Sequence, residues 1–268
     1  MGAGGKKTGL GVGFLGDVWN WFGDGSHWSG NDGVIHRLSE HVQLSIVSVV
    51  AAALIALPIG YLIGHVRKGG VLAVNVSNVG RAIPSFALLI LMVQIFGIGE
   101  PSGVFSFVGS FPTFIVLVAL AIPPMLTNTY VGVAGVDPEV REAARGMGMS
   151  GRQLLTGVEA PMATPLVMAG IRTAAIAVVA TATLAAYTGW GGLGRFIIDG
   201  LSTQDYVQVF AGAVLVALLA IVFEVVLAVV QRLTVSRGLR VGVRPERKVE
   251  ETFTDVTHAP TEQARPVG

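Results

Sequence analysis

Residues 42–64, VQLSIVSVVAAALIALPIGYLIG, run for 23 positions without a charged side chain. At ~1.5 Å of rise per residue, a helix of that length crosses a ~30 Å hydrocarbon layer with some tilt. Four more charge-free windows follow, at 82–99, 101–136, 173–194 and 206–223. Across all 268 residues, 52% are hydrophobic and only 13% are charged. A soluble domain carries about a quarter charged residues. Composition therefore excludes both an ordinary soluble globular protein and intrinsic disorder. It predicts an all-α membrane protein with about five transmembrane helices.

The spans are expected at about 42–64, 82–98, within 109–131, 163–187 and 207–231. Pro58 lies in the last third of the first. A polar helix at 71–81, carrying Asn75, Ser77 and Asn78, should lie at the interface or face a cavity ahead of the second. Pro123 and Pro124 should distort the inner end of the third. Basic residues set the sidedness. With the N-terminus outside, the inner segments 65–81, 132–162 and 232–268 hold 13 of the 18 Lys and Arg residues, and the outer segments hold Lys6, Lys7, Arg37 and Arg195. The short loops alone hold six inside against Arg195 outside, so the expected topology is N-out, C-in. Residues 1–41 then form an extracytoplasmic segment with an interfacial helix at 14–22, where Trp and Phe suit the headgroup level. Residues 42–232 form the transmembrane domain, and 233–268 a flexible cytoplasmic tail. Lys6 and Lys7 are followed by glycines rather than an apolar core, so this start does not read as a cleaved signal.

Several classes of function drop out. A net charge of +1 offers no concentrated basic surface for nucleic acid. Zero cysteines exclude disulfides, thiolate metal sites and cysteine catalysis. No span carries a His/Glu metal set or a Ser/His pair, so no catalytic residue and no metal is expected.

The cytoplasmic loop 137–161, DPEVREAARGMGMSGRQLLTGVEAP, is shaped for contact. Asp137 suits an N-cap, Pro138 the first helical position and Glu139 the first turn. Gly146 and Gly148 should break that helix. Ser150 should cap a second short one, ended by Pro161 before the next span. Small Ala143 and Ala144 beside glycines admit a close-packed partner. The bland alternative is a hairpin that merely joins two spans.

Glu142-Ala143-Ala144, three residues, Gly148, nine residues, then Val158-Glu159-Ala160-Pro161 resembles the "EAA" loop of membrane subunits of bacterial ABC importers. The family pattern ends Ile-x-Leu-Pro; here Val158 is a conservative departure and Ala160 a smaller residue. IPSFALL (83–89), NTYVGV (128–133), GVDPEVREAARGMGMS (135–150), MAGIRTA (168–174), ATLAAYTG (182–189) and GGLG (191–194) resemble permeases of the osmoprotectant branch, which carries glycine betaine, choline, carnitine and proline betaine. The resemblance spans about 36–232. It implies the type I importer permease fold, with 137–148 as a coupling helix seated on a cytoplasmic ATPase. Glu142 would meet that partner, and Gly148 would permit the turn. It further implies a second permease subunit, identical or paralogous, and an extracytoplasmic substrate-binding protein. ATP and Mg would sit on the ATPase. This chain has no Walker A pattern, the only Gly-Lys pair being Gly5-Lys6.

Two charges fall within spans. Arg172 lies ~15 Å and Glu224 ~12 Å from the cytoplasmic side by helix rise. Such charges are costly alone, so a bridge between them is expected. The alternative is that each faces a wet cavity. Quaternary ammonium groups bind aromatic faces, which makes Phe86, Tyr130, Tyr187 and Trp190 candidates for the substrate path. The competing reading is packing or interfacial anchoring. Rival functions are an importer permease for an amino acid such as methionine, and an ion-coupled secondary transporter. The latter usually shows more spans and an inverted repeat.

Overall fold

A computed structural model describes residues 12–68, 70, 75, 78, 80, 82–97 and 110–235, and every regular element among them is helical. Helices α1 (Val12–Gly23), α2 (Val34–Val66), α3 (Ser85–Phe96), α4 (Phe111–Ala134), α5 (Pro138–Gly146), α6 (Gly151–Thr188), α7 (Gly194–Thr203) and α8 (Tyr206–Thr234) follow one another. Most of the polar 71–81 stretch, the loop 99–108 and the tail beyond 235 lie outside the described residues. Among the described residues, four helices, α2, α4, α6 and α8, are long and apolar enough to cross a membrane.

The expected second span takes a shorter form. α3 has 12 residues, a rise of only ~18 Å. Pro84 stands at its N-cap with extended backbone, and Gly97 ends it at φ 80°. Proline disfavours helix in the residue before it, so the helix cannot grow backwards. α2 differs the other way: it begins at Val34, eight residues ahead of the charge-free run. α4 remains one helix through Pro123 and Pro124. The prolines cost it two intrahelical donors, which neighbouring helices make tolerable in a bilayer.

The core is a three-helix contact among α2, α4 and α6. Leu44, Ala52 and Ala56 meet Leu117, Ala121, Met125 and Leu126, with Ala174, Val178, Ala182 and Ala185 closing the third side. Lipid provides no hydrophobic drive for helices to associate, so close van der Waals contact must do it, and small residues allow that contact. Gly60 and Gly64 of α2 lie against Thr129 and Val133 of α4; a Cβ on either glycine would fall 2.7 Å from the facing Cβ. Gly170 of α6 meets Asn128 and the Pro124 carbonyl in the same way.

A second cluster joins the remaining helices to this core. Trp21 of α1, Val34 of α2, Val179 of α6, Phe196 of α7 and Ala211, Val216 and Leu219 of α8 are buried together. One face of α8 is bare. Ile221, Val222, Val225, Val226, Val229 and Val230 all remain exposed, as a lipid-facing or subunit-facing helix requires.

Gly60→Leu is expected to prise α2 from α4 and lower the thermal midpoint of the detergent-purified protein, by an overpacking cost of ~1–3 kcal/mol. Gly16→Leu, where nothing lies within 4 Å, should leave the midpoint alone. Equal midpoints for the two variants would show that the close crossing is dispensable.

Candidate functional site

The site begins at α5, whose ends follow local chemistry. The Asp137 carboxylate accepts from the Glu139 N–H at 2.8 Å, and Pro138 occupies the first turn. At the far end, Gly148 N–H donates to the Arg145 carbonyl at 2.9 Å and Met149 N–H to the Ala144 carbonyl at 3.2 Å. With Gly148 at φ +82°, this is the paired closure that a left-handed glycine after a helix permits. Gly146 is the last helical residue. Arg141 and Ala144 are buried. Val140, Ala143 and Met147 are exposed, as are Glu139 and Glu142. Spacings of three and four place Val140, Ala143 and Met147 on one face, so α5 presents a bare apolar stripe flanked by two carboxylates.

Ser150 starts the next helix through a reciprocal cap, its N–H donating to Gln153 Oε1 at 2.8 Å and its hydroxyl accepting from the Gln153 N–H. Here the structure corrects an expectation. Pro161 does not end a short second helix; Gly151–Thr188 is continuous. The reason is a wide turn at Leu155–Glu159, where Ala160 N–H bonds to the Leu155 carbonyl, five residues back. Such a turn leaves room for a proline ring that a tight helix would press against a carbonyl.

The wide turn aims Glu159 inward, where it has no solvent exposure. Its Oε2 lies 2.5 Å from His65 Nδ1, and its Oε1 lies 2.8 Å from Arg141 Nη2. The Arg141 contact is an ion pair not aligned as a hydrogen bond, and Arg141 Nη1 is buried without a hydrogen-bond partner among the described residues. Arg141 Nη2 also donates to the His65 carbonyl at 3.0 Å. Burial lowers the pKa of the Arg141 guanidinium from its ordinary value, the Glu159 charge opposes this, and Arg67 and Arg145 add to the lowering. Nearby, Arg67 closes α2 in the left-handed conformation and donates to the Val136 carbonyl at 2.8 Å. α5 is thus pinned to the C-terminal end of α2 and the N-terminal part of α6.

Deeper in, Arg172 and Glu224 form an ion pair between α6 and α8, with Nε 3.3 Å from Oε2 and Nη2 on Oε1. Arg172 Nη1 also donates to Gln231 Oε1 at 2.7 Å, and Gln231 Nε2 to the Pro165 carbonyl at 3.3 Å. The four candidate aromatics divide. Phe86 and Tyr187 meet edge to face at 5.1 Å, and both are exposed. Tyr130 lies instead against Gly70, and Trp190 packs on the core cluster around Leu44. The segment carrying Tyr187 is fixed by its neighbour Thr188, whose hydroxyl donates to Ser110 Oγ at 2.6 Å at the N-cap of α4.

At the other end, the turn 189–193 is held by α2. Glu40 accepts from the Gly192 N–H at 2.8 Å, while His41 bridges the Val179 carbonyl at 2.9 Å and the Leu193 N–H at 3.3 Å. That pattern puts the imidazole hydrogen on Nε2 and a lone pair on Nδ1. Gly192 has φ +84°, and a side chain at Gly191 would collide with the Glu40 carboxylate.

Residues 56–237 match the family described as binding-protein-dependent transport system inner membrane component. The chain belongs to that family. It is therefore an ABC importer permease, a multi-pass protein of the inner membrane. The permease is 34% identical over 207 residues to the glycine betaine/carnitine/choline transport system permease protein OpuCB of Bacillus subtilis, covering 77% of this chain and 91% of the relative. It is also 34% identical over 212 residues to the osmoprotectant import permease protein OsmW of Salmonella typhimurium, covering 78% and 96%. Among solved structures, an inward-facing form of the MetNI methionine ABC transporter superposes with a TM-score of 0.64 at 19% identity, covering 76% of this chain and 96% of that one. At that identity the likeness establishes the type I permease fold.

Sequence reading missed Arg141, His65, Glu40 and His41 in the permease. Glu159 appeared there only as a variable position of a motif. The available signal was a set of polar residues at span ends. His65 lies 94 residues from Glu159, and Glu40 lies 152 from Gly192, so local spacing carries no trace of either contact.

Arg172→Glu and Glu224→Arg should each cut uptake by about tenfold or more, because each leaves two like charges in a low-dielectric site. The double swap should recover much of it. A double variant as poor as the single ones would dissociate the ion pair from function.

Proposed function

We propose that the permease moves a quaternary-amine osmoprotectant, such as glycine betaine, choline, carnitine or proline betaine, into the cell. The energy comes from ATP hydrolysed by separate cytoplasmic subunits. The observation that carries this reading is α5: a bare Val140, Ala143 and Met147 stripe beside Glu139 and Glu142, on a helix pinned to the bundle from behind. That is a docking element, and the names of the curated relatives supply the cargo class. ATP and Mg belong to the ATPase. This chain forms half of the pore and performs no bond-making chemistry.

The topology that suits this role is N-out, C-in, with α5 in the cytoplasm. Residues 1–41 then lie outside, 42–232 form the permease domain and 233–268 the inner tail. A second permease copy, or a paralogue, faces the exposed side of this one, and a binding protein delivers solute to the outer mouth. Nucleotide-driven closure of the ATPases moves the α5 helices, and the close-packed core turns that motion into a rigid-body opening. Arg172 and Glu224 hold α8 to α6 during the movement. Phe86 and Tyr187 offer two adjacent aromatic faces to a cation that has no N–H to donate, an attraction of ~0.5–2 kcal/mol.

Proteoliposomes holding permease, ATPase and binding protein should accumulate choline or glycine betaine only with ATP on the nucleotide side. Phe86→Ala combined with Tyr187→Ala should reduce uptake about threefold or more. Accumulation without nucleotide would contradict the reading, as would uptake of methionine in preference to any quaternary amine.

A further inference from the structure

We infer that Glu159 is the joint through which movement of α5 enters the membrane bundle, with Arg141 and His65 as the residues that position it. The inference rests on the docking role of α5.

A push on the exposed stripe of α5 has few routes inward. The covalent route forward passes Gly146 and Gly148, and neither glycine has a neighbouring atom within 4 Å of its Cβ position. Such an unpacked turn bends rather than transmits. The non-covalent route passes through the two buried residues of the helix, Arg141 and Ala144. Ala144 offers one methyl group. Arg141 offers a charged fork that grips two elements at once: the Glu159 carboxylate on α6 at 2.8 Å and the His65 carbonyl on α2 at 3.0 Å. Glu159 in turn grips the His65 ring at 2.5 Å. The three side chains close a loop among α5, α6 and α2.

The wide turn is what makes this closure available. Leu154, Glu159 and Ala163 are all buried on α6. In an uninterrupted α-helix, residues five apart diverge by ~140° around the axis, which would turn either Leu154 or Glu159 outward. The bond from Ala160 N–H to the Leu155 carbonyl absorbs the extra residue and keeps both inside. The structure thus departs from regular helix at the one place that lets a carboxylate reach α5. The Arg141 contact is also loosely aligned, with Nη1 buried and unpartnered among the described residues. The fork therefore has a spare donor with which to keep hold of Glu159 as α5 shifts.

A carboxylate that only stabilised the fold would, when neutralised, reduce assembly, ATP hydrolysis and uptake together. A joint should instead separate hydrolysis from uptake. The test uses the complete transporter in proteoliposomes, with ATP hydrolysis and solute uptake measured on the same preparation. Glu159→Gln should retain the ATPase subunits and substrate-stimulated hydrolysis while solute moved per ATP falls about tenfold, within the range for one coupling contact. His65→Ala, which removes a single contact from a half-buried residue, should lower the same ratio about threefold. The double swap Arg141→Glu with Glu159→Arg should restore part of the ratio. Wild-type ratios in Glu159→Gln and His65→Ala would overturn the inference, as would parallel loss of hydrolysis and uptake. If Glu159→Gln does not assemble, the ratio in His65→Ala decides. Glu142→Lys separates this result from failure of the underlying reading: it should release the ATPase altogether, and an unchanged complex would remove the docking role itself.

Discussion

A charge drawn into or against a bilayer must bring its partner along. Leaving a buried charge uncompensated costs ~3–5 kcal/mol. Polar contacts among the described residues answer that constraint by tying together segments distant in sequence. Glu159 with Arg141 and His65 fastens α5 to α2 and α6. Arg172 with Glu224 fastens α8 to α6. Glu40 with Gly192 fastens the turn after α6 to α2. Between these points the helices meet through apolar side chains, with alanine and glycine at the close crossings, which sets how near they come but gives little direction to the contact. The small-residue core makes the bundle tight, and the ionic contacts decide which parts move together.

That division explains what could be read from the sequence. Charge-free runs located the long helices, because length and hydropathy are local. Asp137 before Pro138, Gly148 after the helix and Ser150 three residues ahead of Gln153 are also local signals, and each forms the cap its chemistry suggests. Arg172 and Glu224 could be compared by depth, since helix rise turns residue number into position in the membrane. The limits are equally physical. A proline at 161 reads as a stop until the wide turn before it is seen, and such a turn has no sequence mark of its own. α3 looked like a span because the run from 82 is apolar, whereas Pro84 and Gly97 bound the helix itself. Glu159, His65 and Arg141 come together only once three helices are packed, and nothing within a window of any one of them points to the others.

The two ends of the molecule contrast in a way that suits transport. At the outer end in the proposed topology, neutral contacts from His41 and a single carboxylate hold a glycine turn beside the exposed Tyr187. At the inner end a charged cluster built on the fully buried Glu159 and the buried Arg141 grips α5. Substrate passage favours a mouth whose contacts are individually modest, while force transmission favours a joint that is costly to break. The apolar face of α8 lies outside both, available to lipid or to a second subunit.

The central claim is that α5 meets an ATPase with its exposed face while its other face holds the bundle. The chain has no native cysteine, so single cysteines on adjacent residues report the two faces cleanly. In membranes carrying the assembled transporter, Ala143→Cys should cross-link to a cysteine in the ATPase, with a yield that changes on adding nucleotide. Ala144→Cys should not cross-link. Equal yields from both positions, or labelling of Ala143→Cys only by impermeant reagent applied from outside the cell, would contradict the account.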